Sequence, residues 1–401
     1  MPTPFLADAQ AMYDDLVAIR RDLHMHPEMG FQEFRTAGIV AERLNALGYE
    51  VTTGVGQTGV VALMGGDQPG ERTVLLRFDM DALPIDEQND VPYRSQTPGV
   101  MHACGHDAHV SIGIGVATLL AQHRARWGGT VKLMFQPAEE ALGGARAMIA
   151  DGLLHNPAPD VALGLHVWTE QEVGTAVVRE GALMAAGDEV TIEVIGTGGH
   201  GARPHETVDA IVVASHIVVA LQTIVARNLD PEEVGVISVG VFHAGSACNI
   251  IAERATLRLS VRSFTPAARE LQHRRIREVA DGVAATFGAR ALVTRRDGVD
   301  ATVCAPAPTA VVHQVAAEIL GAANVDTSYR STAGEDFSVV LDAVPGNYFF
   351  LGARNSAKGI GAPHHNPRFD IDEACMPQGV AILCEAAVRC LAEDPRSSST
   401  S

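Results

Sequence analysis

Three apolar runs that stop on metal- or proton-binding side chains constrain this chain more than any other feature. TVLLRF (73–78) runs into Asp79 and Asp81, VKLMF (131–135) into Gln136, Pro137, Glu139 and Glu140, and VALGL directly into His166. Helical stretches separate them, at about 107–123 with Asp107 as the expected cap and at about 142–150. Short apolar strands alternating with helices imply an α/β fold, a mainly parallel sheet flanked by helices on both faces. Such sheets bind ligands beyond the carboxyl ends of their strands. Three successive strand ends therefore converge on one edge, and that edge is where a site is expected.

Two helices are expected before the first strand, over 7–25 and 32–47, the second closed by Gly48. The style changes near residue 187. DEVTIEVIGT alternates with period two, as a strand with one solvated face does. The Gly-rich GTGGHGARPH follows, then a helix over 207–226, strands over 235–245 and 255–264, a helix over 266–287 and a strand near 289–296. This βαββαβ order predicts a small ferredoxin-like α+β domain inserted in the larger one. A chain of 401 residues exceeds what one core usually supports. The expected division is 1–186 with 299–401 as the first domain and 187–298 as the second.

A formal charge of -18 argues against nucleic acid and anionic membrane as partners, since either wants a basic face. The most apolar helix, from Ala210 to Val225, carries Ser215, His216, Gln222 and Thr223 and is expected to fall short of a membrane span. No basic-then-apolar leader opens the chain, and the six cysteines form no CxxC pair or disulfide-like framework. The expectation is a cytoplasmic protein with a disordered tail, DPRSSSTS.

The stretch MHACGHDAHV (101–110) packs three histidines, a cysteine and an aspartate into ten positions. Cys104 and His106 lie two apart just before a helix start, so both can point at one centre, and thiolate and imidazole suit zinc and its neighbours. Alone the pair is weak, because most Cys and His residues are structural. Glu140 and His166 on the next two strand ends, with His364 or His365 in PHHNPRF as a late donor, make a metal site the better reading. Glu139 and Glu140 are adjacent and point different ways, so one can bind metal while the other acts as a base. Asp79 and Asp81 either orient a ligand histidine or cap a helix.

The segments RRDLHMHPEMGFQEFRT, DMDALP, HACGHDAH, FQPAEE, GGHGARPH and NPRFDIDEA together resemble the M20 metallopeptidases. Within them the similarity is to the amidohydrolase branch of hippurate hydrolases, N-acyl-amino-acid amidohydrolases and auxin-conjugate hydrolases, from about residue 13 to 390. The resemblance implies two divalent metal ions per subunit, of Zn, Mn, Co or Ni. Cys104 takes the bridging position, joined by His106, Glu140, His166 and a late histidine. The family's late ligand precedes a proline by two residues, and Pro367 selects His365 over His364. Glu139 is the implied general base and Asp81 its supporting carboxylate. His102, Asp107 and His109 match the motif without being ligands, and His24 and His26 read as structural.

In the inserted lid and dimerisation domain, His200 matches a residue that polarises the scissile carbonyl in the partner subunit's site. Asn249 and Arg262 match residues that grip the substrate carboxylate. Thr207 and Ala210 depart from the Gly and Pro frequent there, which touches loop shape rather than chemistry. The implied enzyme is a metallo-amidohydrolase of N-acyl amino acids, working as a homodimer or homotetramer. Its rivals are a deacetylase or desuccinylase of a biosynthetic amino acid, a small dipeptidase, a cysteine hydrolase using Cys104, and an inactive metal-binding protein. No Gly-rich oxyanion elbow supports the cysteine route, and an intact Glu139 opposes the last.

Overall fold

The computed structural model of the protein describes residues 4–140 and 143–392; the Ser-rich tail lies outside them. The chain forms two compact units, one of Met1–Leu183, Thr302–Tyr329 and Asp336–Ser401, the other of Met184–Ala301 and Arg330–Glu335.

The first unit is built on an eight-stranded sheet. In spatial order its strands are Glu50–Val55, Gly59–Gly65, Gly128–Gln136, Gln68–Asp79, Val161–Glu172, Gly346–Arg354, Ala176–Val177 and Val325–Asp326. The four central strands, from Gly128–Gln136 to Gly346–Arg354, run parallel, and the hairpin 50–65 joins them antiparallel. The strands are buried on both faces, as their unbroken apolar runs require: Leu76, Phe78, Leu133, Phe135, Leu163 and Phe349 are all inaccessible. Helices His106–Gln122 and Met376–Ala392 pack on Gln68–Asp79 and on each other.

The chain passes from Gln68–Asp79 to Gly128–Gln136 on one side of it, then reverses and crosses over it to Val161–Glu172 on the other. Such a reversal opens a crevice beyond the strand ends. His166 does not end its strand as the apolar run implies; Val161–Glu172 continues beside Gly346–Arg354, with His166 opposite Phe350. The ladder to Gln68–Asp79 stops at Arg77 and Gly164, and this parting of the strands makes the gap at His166. The first expected helix is two, Pro4–Ala11 and Tyr13–Met25, divided at Met12, and the second is Phe34–Ala46.

The second unit is a four-stranded antiparallel sheet in the order Gly235–Ala244, Arg254–Ser263, Ala186–Ile195, Arg290–Val299, with helices Ala210–Arg227 and Pro266–Thr286 packed on it. Its βαββαβ order follows from alternation: Val190, Ile192 and Val194 are buried while the residues between them are half-exposed. Among the described residues, helices Ala210–Arg227 and Glu373–Ala392 are long and apolar enough to cross a membrane, with mean hydropathies of 1.8 and 1.3. For the first this corrects the expected shortfall, since the helix reaches 18 residues. Burial accounts for part of that composition: Ala210, Val213, Ala214, Ile217, Leu221 and Ile224 form one stripe against the sheet, while Ile211, Val212, Val219 and Val225 are exposed.

Candidate active site

Local structure at the strand ends sets the donor geometry. Gly105 precedes helix His106–Gln122 with φ +94°, and a Cβ there would fall 2.4 Å from Val167 Cγ2. Only glycine allows the chain to turn this close to the neighbouring strand, which carries Cys104 and His106 toward His166. Gly105, not Asp107, holds the cap position. The ligand atoms of Cys104, His106 and His166 lie within 4.8 Å of one another, as do those of Cys104, Glu140 and His365, and of His106, Glu139 and Glu140. Cys104 Sγ is 3.4 Å from His166 Nε2, and His365 Nε2 is 3.2 Å from Glu140 Oε1.

Asp81 ties two of these elements together. His106 Nδ1 donates to its carbonyl oxygen at 2.9 Å and lies 3.2 Å from Oδ1, while Oδ2 accepts the Glu140 backbone N–H at 2.9 Å. Because a carbonyl can only accept, Nδ1 carries a proton, and Nε2 is the nitrogen left to face a metal. That Nε2 is buried and has no hydrogen-bond partner, its nearest polar neighbour being Asp79 Oδ2 at 3.4 Å. An imidazole held at one nitrogen by a carbonyl and a carboxylate, with the other turned toward thiol and carboxylate groups, fits a metal ligand.

The Val167 peptide is a second hub. Its N–H donates to His109 Nε2 at 2.9 Å, and its carbonyl accepts from His166 Nδ1 at 2.7 Å and from His364 Nε2 at 3.0 Å. His109 Nδ1 in turn donates to Asp79 Oδ1 at 2.5 Å, so both nitrogens of His109 are engaged. The same holds His166 with Nε2 toward Cys104. His364 stacks on Trp168, ring centroids 4.4 Å apart, while its neighbour His365 faces Glu140. Beneath them Arg77, fully buried, pairs with Asp79 at 2.7 Å and reaches Gln136 and Tyr348 Oη at 2.8 and 2.9 Å. Sequence reasoning passed over Arg77, although a lone arginine inside an apolar central strand is a signal that could have found it.

Asp107 faces away from the cluster. It accepts from Arg20 Nε and His24 Nδ1, both at 2.8 Å, all three side chains buried. Arg20 also pairs with Asp370 and Glu373, and His26 donates to the Asp22 carbonyl. Breaking one arm of a buried ion network leaves charge uncompensated. Asp107→Asn should therefore lower unfolding free energy by about 2–4 kcal/mol in denaturant titration, with Arg20 retaining its other partners.

The electrostatics favour a cation. Burial works against charge on His106, yet Asp79, Asp81 and Glu140 outweigh it and lift its pKa to about 10. Burial, then Glu140, Glu139 and Asp79, push the Cys104 thiol well above its ordinary value. Burial foremost, then His109 and His364, hold His166 well below its own, so it stays neutral. His166, its pKa held low, is a weak base beside a thiol whose pKa is pushed up, so the pair does not make an activated cysteine nucleophile. The thiol, imidazoles and carboxylate suit a divalent cation in both donor chemistry and field.

His200 and Asn249 meet in the second unit, where Gly199–His200 pairs with Ile250–Ile251 and the Gly201 N–H donates to the Asn249 carbonyl at 2.8 Å. Both are exposed, and His200 Nδ1 accepts the Ala202 N–H at 3.1 Å. Arg262 is half-buried on Arg254–Ser263, its Nε 3.3 Å from Ser260 Oγ. A Cβ at Gly187 would lie 2.3 Å from one guanidinium nitrogen, so that glycine makes the arginine's room.

Soft and hard donors gathered beyond the strand ends of an α/β sheet, with a second carboxylate adjoining, are the equipment of an amidohydrolase. Residues 75–389 match the model of peptidase family M20/M25/M40. The chain is 39% identical over 386 residues to a thermostable carboxypeptidase of Saccharolobus solfataricus, covering 95% of this chain and 97% of that one. It is 36% identical over 389 residues to the hippurate hydrolase of Campylobacter jejuni, covering 97% and 99%. A dinuclear metal binding peptidase of the M20 family from Bacillus subtilis superposes with a TM-score of 0.83 at 33% identity, covering 95% and 99%. The chain belongs to peptidase family M20/M25/M40, and it is an enzyme of the amidohydrolase kind.

Proposed function

We propose that this enzyme hydrolyses the amide bond of N-acyl amino acids, releasing a carboxylic acid and a free amino acid. Cys104, His106, Glu140, His166 and His365 would hold two divalent ions. The observation that carries this reading is the gathering of His106, Cys104, His166, His365 and the paired carboxylates within ligand distance of one another, with the buried His106 Nε2 making no hydrogen bond. When bound, the ions supply the Lewis acidity that polarises the amide and makes water nucleophilic near neutral pH. Glu139 takes the proton of the attacking water and returns it to the leaving nitrogen. Asp81 fixes the His106 tautomer and the Glu140 peptide, so the two carboxylates keep separate tasks. Three imidazoles and a thiolate favour Zn, Co or Ni, and the carboxylate admits Mn.

Residues 187–298 serve, in this reading, as lid and dimerisation domain of a cytoplasmic homodimer. His200 polarises the scissile carbonyl in the partner's site, and Asn249 and Arg262 grip the substrate carboxylate, Arg through paired hydrogen bonds. The hippurate hydrolase relative favours an aromatic acyl group, and the carboxypeptidase relative an aminoacyl one. Both substrates keep a free carboxylate next to the scissile amide, so the shared chemistry stands. A panel of benzoyl, acetyl, succinyl and aminoacyl amino acids, assayed with each metal, ranks them; no turnover of any would reject the proposal.

Amidating the substrate carboxyl should cost about 2–4 kcal/mol in kcat/KM, a lost charge-assisted contact plus an unpaired arginine. Equal rates for acid and amide would remove Arg262 and Asn249 from the site. Mixed dimers of His200→Ala and Glu139→Gln chains should regain activity, because one of their two sites combines an intact Glu139 with an intact His200. Mixtures no more active than the separate variants would confine His200 to shaping its own turn.

A further inference from the structure

We infer that Glu33 is a positioning residue for the general base: its carboxylate clamps the backbone of Ala138, and this sets the direction of Glu139. The inference rests on the reading of Glu139 as the base. Ala138 immediately precedes that residue and has φ +50°, in the left-handed region that a side chain with Cβ disfavours. Such a residue persists only where its surroundings over-determine it. Here the Ala138 N–H donates to Glu33 Oε1 at 2.9 Å, and its carbonyl accepts from the Gly144 N–H at 3.2 Å. Gly30 packs so closely that a Cβ on it would come within 3.1 Å of both Ala138 Cα and Cβ. On the other side of Glu139 the next N–H, that of Glu140, is held by Asp81 at 2.9 Å. Glu139 is thus bracketed by two peptides, each fixed by a carboxylate from a distant segment.

The environment of Glu33 fits this task better than packing does. Glu33 is inaccessible to solvent, and its other oxygen accepts from Thr58 Oγ1 at 2.5 Å. It occupies the cap position of helix Phe34–Ala46 yet makes no side-chain bond to that helix. A carboxylate at a helix N-terminus ordinarily serves the helix's own amides; this one is spent on the loop instead. Burying it is costly without strong partners, and the charge-assisted bond to Ala138 is one. It also gives a role to the amino-terminal GFQEFRT stretch, which no metal ligand or base comes from.

Four variants test the clamp in the metal-loaded enzyme. Glu33→Ala should retain its metal and near-normal KM while kcat falls at least ~10-fold, the scale of a displaced catalytic group. Amide hydrogen exchange at Ala138 should speed up in it. Glu33→Gln keeps an oxygen for the Ala138 N–H and should stay within roughly threefold of the parent. Adding Ala138→Gly to Glu33→Ala should recover most of the lost kcat, because glycine takes positive φ without a clamp. Glycine there also relieves backbone strain and raises stability, so kcat is read well below the Tm of each variant, where simple destabilisation leaves it unchanged. If Glu33→Ala does not accumulate folded, Ala138→Val leaves Glu33 in place and strains the same backbone, and it should lower kcat with metal retained. Unchanged kcat in Glu33→Ala or Ala138→Val, a loss of metal in place of kcat, or no recovery on adding Ala138→Gly overturns the inference. Glu139→Gln assayed alongside keeps the claims apart: activity surviving there rejects the base itself, whereas its loss beside an unaffected Glu33→Ala rejects only the clamp.

Discussion

Glu139→Gln is expected to keep its full metal content and lose kcat by at least ~100-fold, the usual worth of a general base. Glu140→Gln is expected to fail differently, by losing metal. The two residues are adjacent, but their surroundings divide them. Glu140 has its peptide held by Asp81 and its carboxylate beside His365 and Cys104. Burial alone would raise its pKa, yet His365 and His106 hold it below the ordinary value, the ionised state a ligand needs. Glu139 shares His106 and Glu140 as near neighbours but belongs to no group with Cys104, His166 or His365 among the described residues. Replacing a carboxylate by an amide removes the proton acceptor while preserving shape. A base so altered loses the chemical step, and a ligand so altered loses its ion. Metal analysis of both variants beside steady-state kinetics checks the division; equal metal loss in the two would reject it.

How far the sequence alone carried differs from one part of the molecule to another, for physical reasons. The central sheet was legible because strands buried on both faces must be continuously apolar, as TVLLRF, VKLMF and VALGL are. The second unit was legible through period-two alternation in DEVTIEVI. Cap geometry was not, since a left-handed Gly105 depends on how closely Val167 approaches from another strand. For the same reason Asp107, a good cap by residue type, is drawn instead to Arg20 and His24. The extent of Val161–Glu172 past His166 depends on a partner strand almost two hundred residues later, Gly346–Arg354. In the candidate site, the donor residues announce themselves by type and spacing. What orients them does not: Arg77, the Val167 peptide and Glu33 act through contacts between segments far apart in the chain. The choice of His365 over its neighbour came from the resemblance; in the structure His364 Nε2 donates to the Val167 carbonyl and His365 Nε2 faces Glu140.

The most direct test removes and restores the metal. Prolonged chelation should abolish hydrolysis of an N-acyl amino acid, and adding back a divalent ion should restore it, most of the activity returning by about two equivalents per chain. Among the described residues of the cluster the Cys104 thiol is a poor alternative nucleophile: burial and the carboxylates push its pKa up, and burial holds that of His166 down. Thiol alkylation does not discriminate, because Cys104 is essential whether it binds metal or attacks. The deciding quantity is the rate of carboxylic acid and amino acid release from protein whose residual metal has been measured. The expected result is activity that vanishes with the metal and returns in proportion to it. Undiminished release from metal-free protein would contradict the proposed mechanism at its centre.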